Sequence, residues 1–303
     1  MNRPQATSRL AAETGHKARK RFGQHFLQDV WAERVVQAIA PRPDEVVLEI
    51  GPGEGAITRP LLAACKHVVA FEIDRDLAAA LRAEGHERLT IVEGDVLDLS
   101  AAQLLAQLET LGFGGLPLRL AGNLPYNVAS PILFRLLGWF EAGVPIVDTT
   151  VMLQREVAER LLAPVGTAEY GVLSVLLRHV ATIDRRLKLP PGAFRPAPEV
   201  HSTVVTLRWQ SPTPPPRDLA LFRSVVRAVF TRRRKTLANA LAAWGGRLMV
   251  PTADVLSRAG LNPGLRPEAL DIPQFVQLAD AVTNAAQAEH GAPNPVADGP
   301  SGA

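Results

Sequence analysis

Val46-Val47-Leu48-Glu49-Ile50 runs straight into Gly51-Pro52-Gly53-Glu54-Gly55, after which a helical stretch begins at about residue 56. A short apolar run ended by glycines and followed by a helix is the first half of a strand–helix–strand unit. Its two strands lie parallel because the helix carries the chain back to the edge where it began. The alternation continues, with strands expected at Val68–Glu72, at Leu89–Val92, ending at Ala121, at 148–153 and at Ser202–Arg208. Helices are expected near 29–40, 75–83, 100–110 and 130–140, from Glu156 to Leu162 and from Gly171 to His179. This order restricts the chain to an α/β fold, a mostly parallel sheet covered by helices on both faces.

Ser211-Pro212-Thr213-Pro214-Pro215-Pro216 interrupts the pattern and marks a domain boundary. Residues 17–210 form the expected first domain and 217–285 a smaller, all-helical one, with disordered tails at 1–16 and 286–303. Asp218 is placed to cap a helix in which Phe222, Val225, Val226 and Val229 recur at helical spacing, leaving Arg223 and Arg227 on another face. An unbroken helix would carry Arg233 into that apolar stripe. A break is therefore expected near Thr231, with Arg232-Arg233-Arg234-Lys235 at the start of a second helix that includes Leu237, Leu241 and Trp244.

With 303 residues, 47% of them apolar, the chain can bury one sizeable core and a smaller one. It contains no apolar run of the roughly 20 residues that span a bilayer, and the first ten residues lack the apolar centre of a secretory signal. A cytoplasmic protein is expected, with no membrane partner. Cys65 is the single cysteine, and the seven histidines show no ligand spacing, so neither a disulfide nor a metal is expected. The net charge of +3 matters less than its clustering in Lys17-Ala18-Arg19-Lys20-Arg21 and Arg232–Lys235. One such run alone is more often a solvated face; two of them, flanking an apparent catalytic domain, point to a phosphate backbone as partner.

The glycine loop sits where open α/β sheets bind ligands, at the carboxyl end of the first strand. Glycines there let the backbone approach a ligand closely, although a tight structural turn explains them equally well in isolation. Glu72, about 20 residues on at the end of the second strand, is placed for ribose hydroxyls, and Asp95 after the third strand for an adenine amine. Both a nicotinamide dinucleotide and S-adenosylmethionine use such a set. The spacing Gly51-x-Gly53-x-Gly55 and the acid Glu54, which would repel a pyrophosphate, suit a phosphate-free cationic sulfonium better. Val47 to Gly55, with Glu72 and Asp95, resembles the nucleotide-binding motifs of class I methyltransferases.

Gly122-Asn123-Leu124-Pro125-Tyr126-Asn127 follows the fourth strand and projects into the same crevice. The plain alternative is a turn, which Asn and Pro favour. An adenine amine is a poor nucleophile, its lone pair delocalised into the ring. The Asn123 side-chain carbonyl and the backbone carbonyl of Leu124 or Pro125 can accept its two hydrogens and aim the lone pair, while Tyr126 stacks on the everted base. The tetrapeptide resembles the Asp/Asn-Pro-Pro-Tyr/Phe motif of amino-group methyltransferases, and in its Asn-Leu-Pro-Tyr form the ribosomal RNA adenine dimethyltransferases. Lys20–Leu27, Met152–Val157, Phe194–Ser202 and Arg232–Leu237 are similar to the bacterial small-subunit branch of that family, many members of which have Asn where His25 stands.

That resemblance implies a sheet with one antiparallel strand, S-adenosylmethionine as cofactor, and a cofactor-binding set of His25, Leu27, Gly51, Gly53, Glu72, Asp95 and Asn123. It implies a lid at His25 to Leu27, and Phe194 as a second stacking face for the base beside the catalytic Asn123, Leu124, Pro125 and Tyr126. Without it, Phe194 reads as a core aromatic and His25 as a surface histidine. It further implies double methylation of two adjacent adenosines in the 3′-terminal hairpin of 16S RNA within an immature 30S subunit. RNA contacts are then expected from Arg223, Arg227, Arg232, Arg233, Arg234 and Lys235. Two alternatives stay open: a 23S RNA methyltransferase of the macrolide-resistance type, which shares the tetrapeptide, and an assembly factor that binds RNA without turnover. A monomer is expected, since no long heptad pattern occurs.

Overall fold

The computed structural model describes residues 25–244 and 251–290. The Lys17–Arg21 run, the Lys20–Gln24 part of the first family segment and both expected tails apart from 286–290 lie outside the described residues. By its internal contacts the chain divides into two compact units: residues through Leu162 together with Ala181–Gln210, and Ala163–Val180 together with Ser211 onward.

The first unit is a seven-stranded sheet with helices between strands. Its strands are β2 (Val46–Ile50), β3 (His67–Glu72), β4 (Leu89–Glu93), β5 (Leu118–Asn123), β6 (Ile146–Gln154), β7 (Ala181–Leu189) and β9 (Ser202–Trp209), in the order β4-β3-β2-β5-β6-β9-β7. All neighbours pair in parallel except β9, which is antiparallel to both β6 and β7. The central strand β2 is buried along its whole length, as expected of a strand covered on both faces. A separate two-stranded ladder joins β1 (Phe26–Leu27) to β8 (Phe194–Arg195).

The helices of this unit are α1 (Asp29–Ile39), α2 (Thr58–Ala64), α3 (Arg75–Ala83), α4 (Ala101–Thr110), α5 (Ala129–Glu141) and α6 (Arg155–Leu162). Ala32, Val35, Val36 and Ile39 of α1 pack with Leu61 and Leu62 of α2, Val47, Val68 and Ala70 of the sheet, and Phe194. Starts are set by side chains: Asp74 caps α3 by accepting from the Asp76 amide at 3.1 Å, and Ser100 with Gln103 forms a capping box on α4. At the amino end of β5, Arg119 forks between Asp148 (2.7 Å) and Glu45 (2.9 Å) and donates to the carbonyls of Ile39 and Ala40, closing the end of α1.

The second unit contains α7 (Val172–Arg178), α8 (Leu219–Thr231), α9 (Leu237–Ala242), α10 (Thr252–Arg258) and α11 (Ile272–His290). Asp218 accepts from the Leu221 amide at 2.9 Å, the cap expected from sequence, and Phe222, Val225, Val226 and Val229 are buried.

Three boundaries differ from the sequence expectation. Residues 163–180 pack with the second unit, because the His179 ring lies tilted against Phe222 (centroids 4.6 Å apart), its Nε2 meets the Pro214 carbonyl at 2.9 Å, and Tyr170 meets the edge of Phe230. The basic run 232–235 forms the turn between helices rather than the start of α9, which is capped by Thr236 and ends before Trp244. The final helix continues to His290, past the limit of 285, since alanine- and glutamine-rich sequence can stay helical without large apolar groups. Three strands lie outside the sequence expectation: the two-residue β1 and β8, too short for a periodic pattern, and β7, whose exposed side chains are polar.

Candidate active site

The carboxyl ends of β2, β3 and β5 open into a pocket of about 300 Å³, lined by the glycine loop, Glu72, Asp95, the tetrapeptide from Asn123 and the lid His25 to Leu27. Elements far apart in sequence meet here because Ile50 lies opposite Gly122 in the ladder. A Cβ on Gly122 would stand 2.5 Å from the Ile50 carbonyl oxygen, so only glycine lets β5 close against β2 and bring Asn123 beside Gly51. Gly53 has φ +58°, and a Cβ there would press on the Phe26 ring at 3.2 Å. The loop is thus shaped both by backbone conformation and by the lid above it.

Glu72 is 4% exposed, and both its oxygens are fixed: Oε2 accepts from the Gly53 amide at 3.0 Å and Oε1 from the Asp74 amide at 2.8 Å. Burial pushes its carboxyl above the ordinary carboxylate range, and the two amides oppose that shift. Lone pairs remain on each oxygen for two neighbouring hydroxyls. Asp95 accepts from the Leu97 amide at 2.8 Å and lines the pocket with Phe71, Ile73, Val96 and Leu97, an apolar slot for a flat ring. These groups fit an adenosine-bearing cofactor without phosphates: the carboxyl groups of Glu72 and Asp95 stand beside an apolar slot, and Glu54 of the loop also lines the pocket, adding negative charge that disfavours a pyrophosphate.

Asn123 ends β5. Its Nδ2 donates to the His25 carbonyl at 2.8 Å, which orients the amide and leaves Oδ1 as an acceptor. Leu124 donates its amide to the Met152 carbonyl at 3.3 Å and buries its side chain, which fixes the peptide entering Pro125. Tyr126 is held at two points: its hydroxyl meets Ser202 Oγ at 2.5 Å, and its ring stacks on His25 with centroids 5.2 Å apart. His25 Nδ1 meets the Pro196 carbonyl at 2.7 Å. His25, expected from sequence near the cofactor, therefore also braces Tyr126.

Phe194 is not brought to the pocket. It is 2% exposed and packs within the core beside α1 and α2, pairing through its backbone with Leu27. At this position the β1–β8 ladder pairs Phe194 with Leu27 and the side chain lies in the core.

Glu49, two residues before Gly51, carries a group that sequence reasoning passed over. It is 1% exposed beneath the loop, and burial pushes its pKa up to about 7, with the nearby Thr58 hydroxyl opposing. Glu49 Oε2 and Thr58 Oγ1 each lack a hydrogen-bond partner among the described residues. A lone glutamate inside an otherwise apolar strand was the available signal.

In the second unit, Arg223 and Arg227 lie one turn apart on α8, and burial together with Arg227 lowers the Arg223 pKa. Arg232, Arg234 and Lys235 are exposed. Arg233 turns inward instead, donating to the Thr167 carbonyl at 2.9 Å and facing Glu268 at 3.7 Å.

Sheet order and pocket together define a class I methyltransferase with an amino-group motif at its mouth. The chain matches the family profile described as ribosomal RNA adenine dimethylase over residues 15–281, and it belongs to that family. It is 40% identical over 279 residues to a "Ribosomal RNA small subunit methyltransferase A" of Marinobacter nauticus, covering 91% of this chain and 95% of that one. It is 44% identical over 273 residues to a protein of the same name from Acinetobacter baylyi, covering 88% and 93%. Among solved structures, a dimethyladenosine transferase from Plasmodium falciparum superposes with TM-score 0.67 at 24% identity, covering 84% of this chain and 96% of that one. The 23S rRNA methyltransferase ErmE superposes with TM-score 0.60 at 26% identity, covering 85% and 99%.

Proposed function

We propose that this chain transfers methyl groups from S-adenosylmethionine to the N6 amines of two adjacent adenosines in the 3′-terminal hairpin loop of 16S RNA, dimethylating each during small-subunit biogenesis. The observation that carries the reading is the Ile50–Gly122 register, which sets Asn123 beside the glycine loop in one pocket. Glu72 would hold the ribose hydroxyls, Asp95 the adenine amine, and Gly51 and Gly53 the methionine portion. When bound, the cofactor supplies an electrophilic methyl group on a cationic sulfonium. Asn123 Oδ1 and the carbonyl of Leu124 or Pro125 accept the two hydrogens of the target amine and turn its lone pair toward the methyl group. Tyr126 offers an apolar face to the everted base. No strong base is needed, since the ammonium left after transfer is acidic and loses its proton to water; rate enhancement comes from orientation and fixed dipoles.

The small-subunit target is favoured over a 23S target by the 40% and 44% identities to small-subunit enzymes, against 26% to ErmE. Exposed Arg232, Arg234 and Lys235, with Arg223 and Arg227, supply positive charge for the RNA backbone. We take a cytoplasmic monomer acting on an immature 30S particle as the working unit. No described helix is long and apolar enough to cross a membrane. The test is to incubate the purified protein and cofactor with particles lacking these modifications and map the 3′ fragment by mass spectrometry. Dimethyladenosine at both adjacent positions is expected; methylation confined to 23S RNA, or none, refutes the reading.

A further inference from the structure

The edge strand β7 carries Arg185, Arg186 and Lys188, all exposed, and no acid among the described residues pairs with them. The one acid of the strand, Asp184, is taken by Arg208 of the adjoining β9. A shift of register between Arg185 and Leu187 marks a bulge, and both arginines lie in the exposed stretch it interrupts, where strict alternation would have sent one of them inward.

Cross-strand register fixes where these charges lie relative to the chemistry. Asn123 is opposite Met152, Met152 is opposite Val204, and Val204 is opposite Leu187. Lys188 is therefore one residue beyond the Asn123 row and Arg185 and Arg186 just short of it. Three interstrand steps of about 4.8 Å separate that row from the edge, roughly 14 Å in all. This is less than the width of an A-form duplex, on the order of 20 Å. A strand with a base everted toward Asn123 thus has its flanking phosphates within reach of this edge.

We propose that Arg185, Arg186 and Lys188 form a second RNA-backbone contact on the catalytic unit, independent of the 232–235 turn, which grips the duplex beside the everted adenosine. The proposal rests on the RNA substrate argued above. Edge strands often carry charge to prevent strand-to-strand aggregation, but one or two charges of either sign accomplish that. Three like charges within four residues, with the nearby acid neutralised, repel one another and are relieved by a polyanion.

The test replaces all three by threonine, which keeps strand propensity, in Arg185→Thr/Arg186→Thr/Lys188→Thr. Binding of the full chain to undermethylated small-subunit particles and to an unrelated hairpin RNA is measured across salt concentrations. Each lost phosphate contact lowers the slope of log Kd against log salt by about 0.7 to 0.9. A fall of about two or more on both probes is expected, with Kd raised on the order of tenfold at low salt and cofactor affinity unchanged. An unchanged slope overturns the proposal and leaves edge protection as the role of these charges. Arg186→Gln alone, a single change at the bulge, serves if the triple variant does not fold, with a slope change of about 0.8 expected. Methylation by the parent chain with no slope change in the variant refutes the edge and spares the enzyme reading. A slope change on the hairpin with no methylation by the parent chain does the reverse.

Discussion

The pocket and the 232–235 turn were both marked out in the sequence, yet the fold treats their side chains differently. In the pocket each functional group is tied down: Glu72 by two amides, Asn123 by the His25 carbonyl, Tyr126 by Ser202 and by the His25 ring. In the turn Arg233 is held inward, whereas Arg232, Arg234 and Lys235 are exposed among the described residues. Groups that must aim a lone pair need fixed positions, because misplacement by about 1 Å can cost on the order of 100-fold in rate. Groups that attract a phosphate backbone act through a field that tolerates their motion.

The contrast breaks most readily at Asn123. Asn123→Ala should lower kcat by about 100- to 1000-fold, as loss of a fixed dipole does, while calorimetry shows cofactor affinity changed by no more than a few-fold. A large loss of cofactor affinity with kcat intact would move Asn123 out of the catalytic role.

Glu49 sharpens the comparison from beneath the loop. Its folded pKa of about 7 lies above the ordinary 4.5, so the folded chain holds the proton more tightly than the unfolded one. The stability this gives is fully present below about pH 4.5 and is lost as pH rises to about 7, a swing of about 3 kcal/mol. Glu49→Gln should remove that slope and leave the variant the more stable form at pH 8 in denaturant titrations. Parallel curves for the two proteins would mean that Glu49 has a partner when folded.

The turn gives a smaller effect with a clean split. Arg233→Ala should cost about 1 to 2 kcal/mol of stability with little change in the salt slope of RNA binding. Arg234→Ala should do the opposite, lowering the slope by about one at unchanged thermal midpoint. The same outcome in both variants would erase the distinction. Least of all, His25→Ala should reduce kcat/KM on the order of fivefold by freeing the Tyr126 ring; an unchanged value would show that Ser202 alone holds the tyrosine.

Much of this was legible in sequence because it depends on local rules. Apolar runs located β2 and β3, the first of them ended by glycines, Asp218 announced its own cap, and the tetrapeptide stood after a strand where the crevice had to be. What stayed hidden depends on long-range pairing. The bulge in β7 breaks the two-residue period that identifies a strand, so its basic edge went unread. Phe194 is drawn into the core by pairing with a lid distant in sequence, and Arg233 is turned inward by Thr167 and Glu268. Helix α7 joined the second unit through ring contacts that no local pattern announces.

The decisive measurement is a crystal structure with S-adenosylhomocysteine and an adenosine-bearing hairpin. The everted purine should place N6 within hydrogen-bond reach of Asn123 Oδ1 and of the Leu124 or Pro125 carbonyl, with its ring on Tyr126 and the cofactor sulfur facing the amine. A purine seated away from residue 123, or a sulfur on the far side of the glycine loop, would contradict the mechanism.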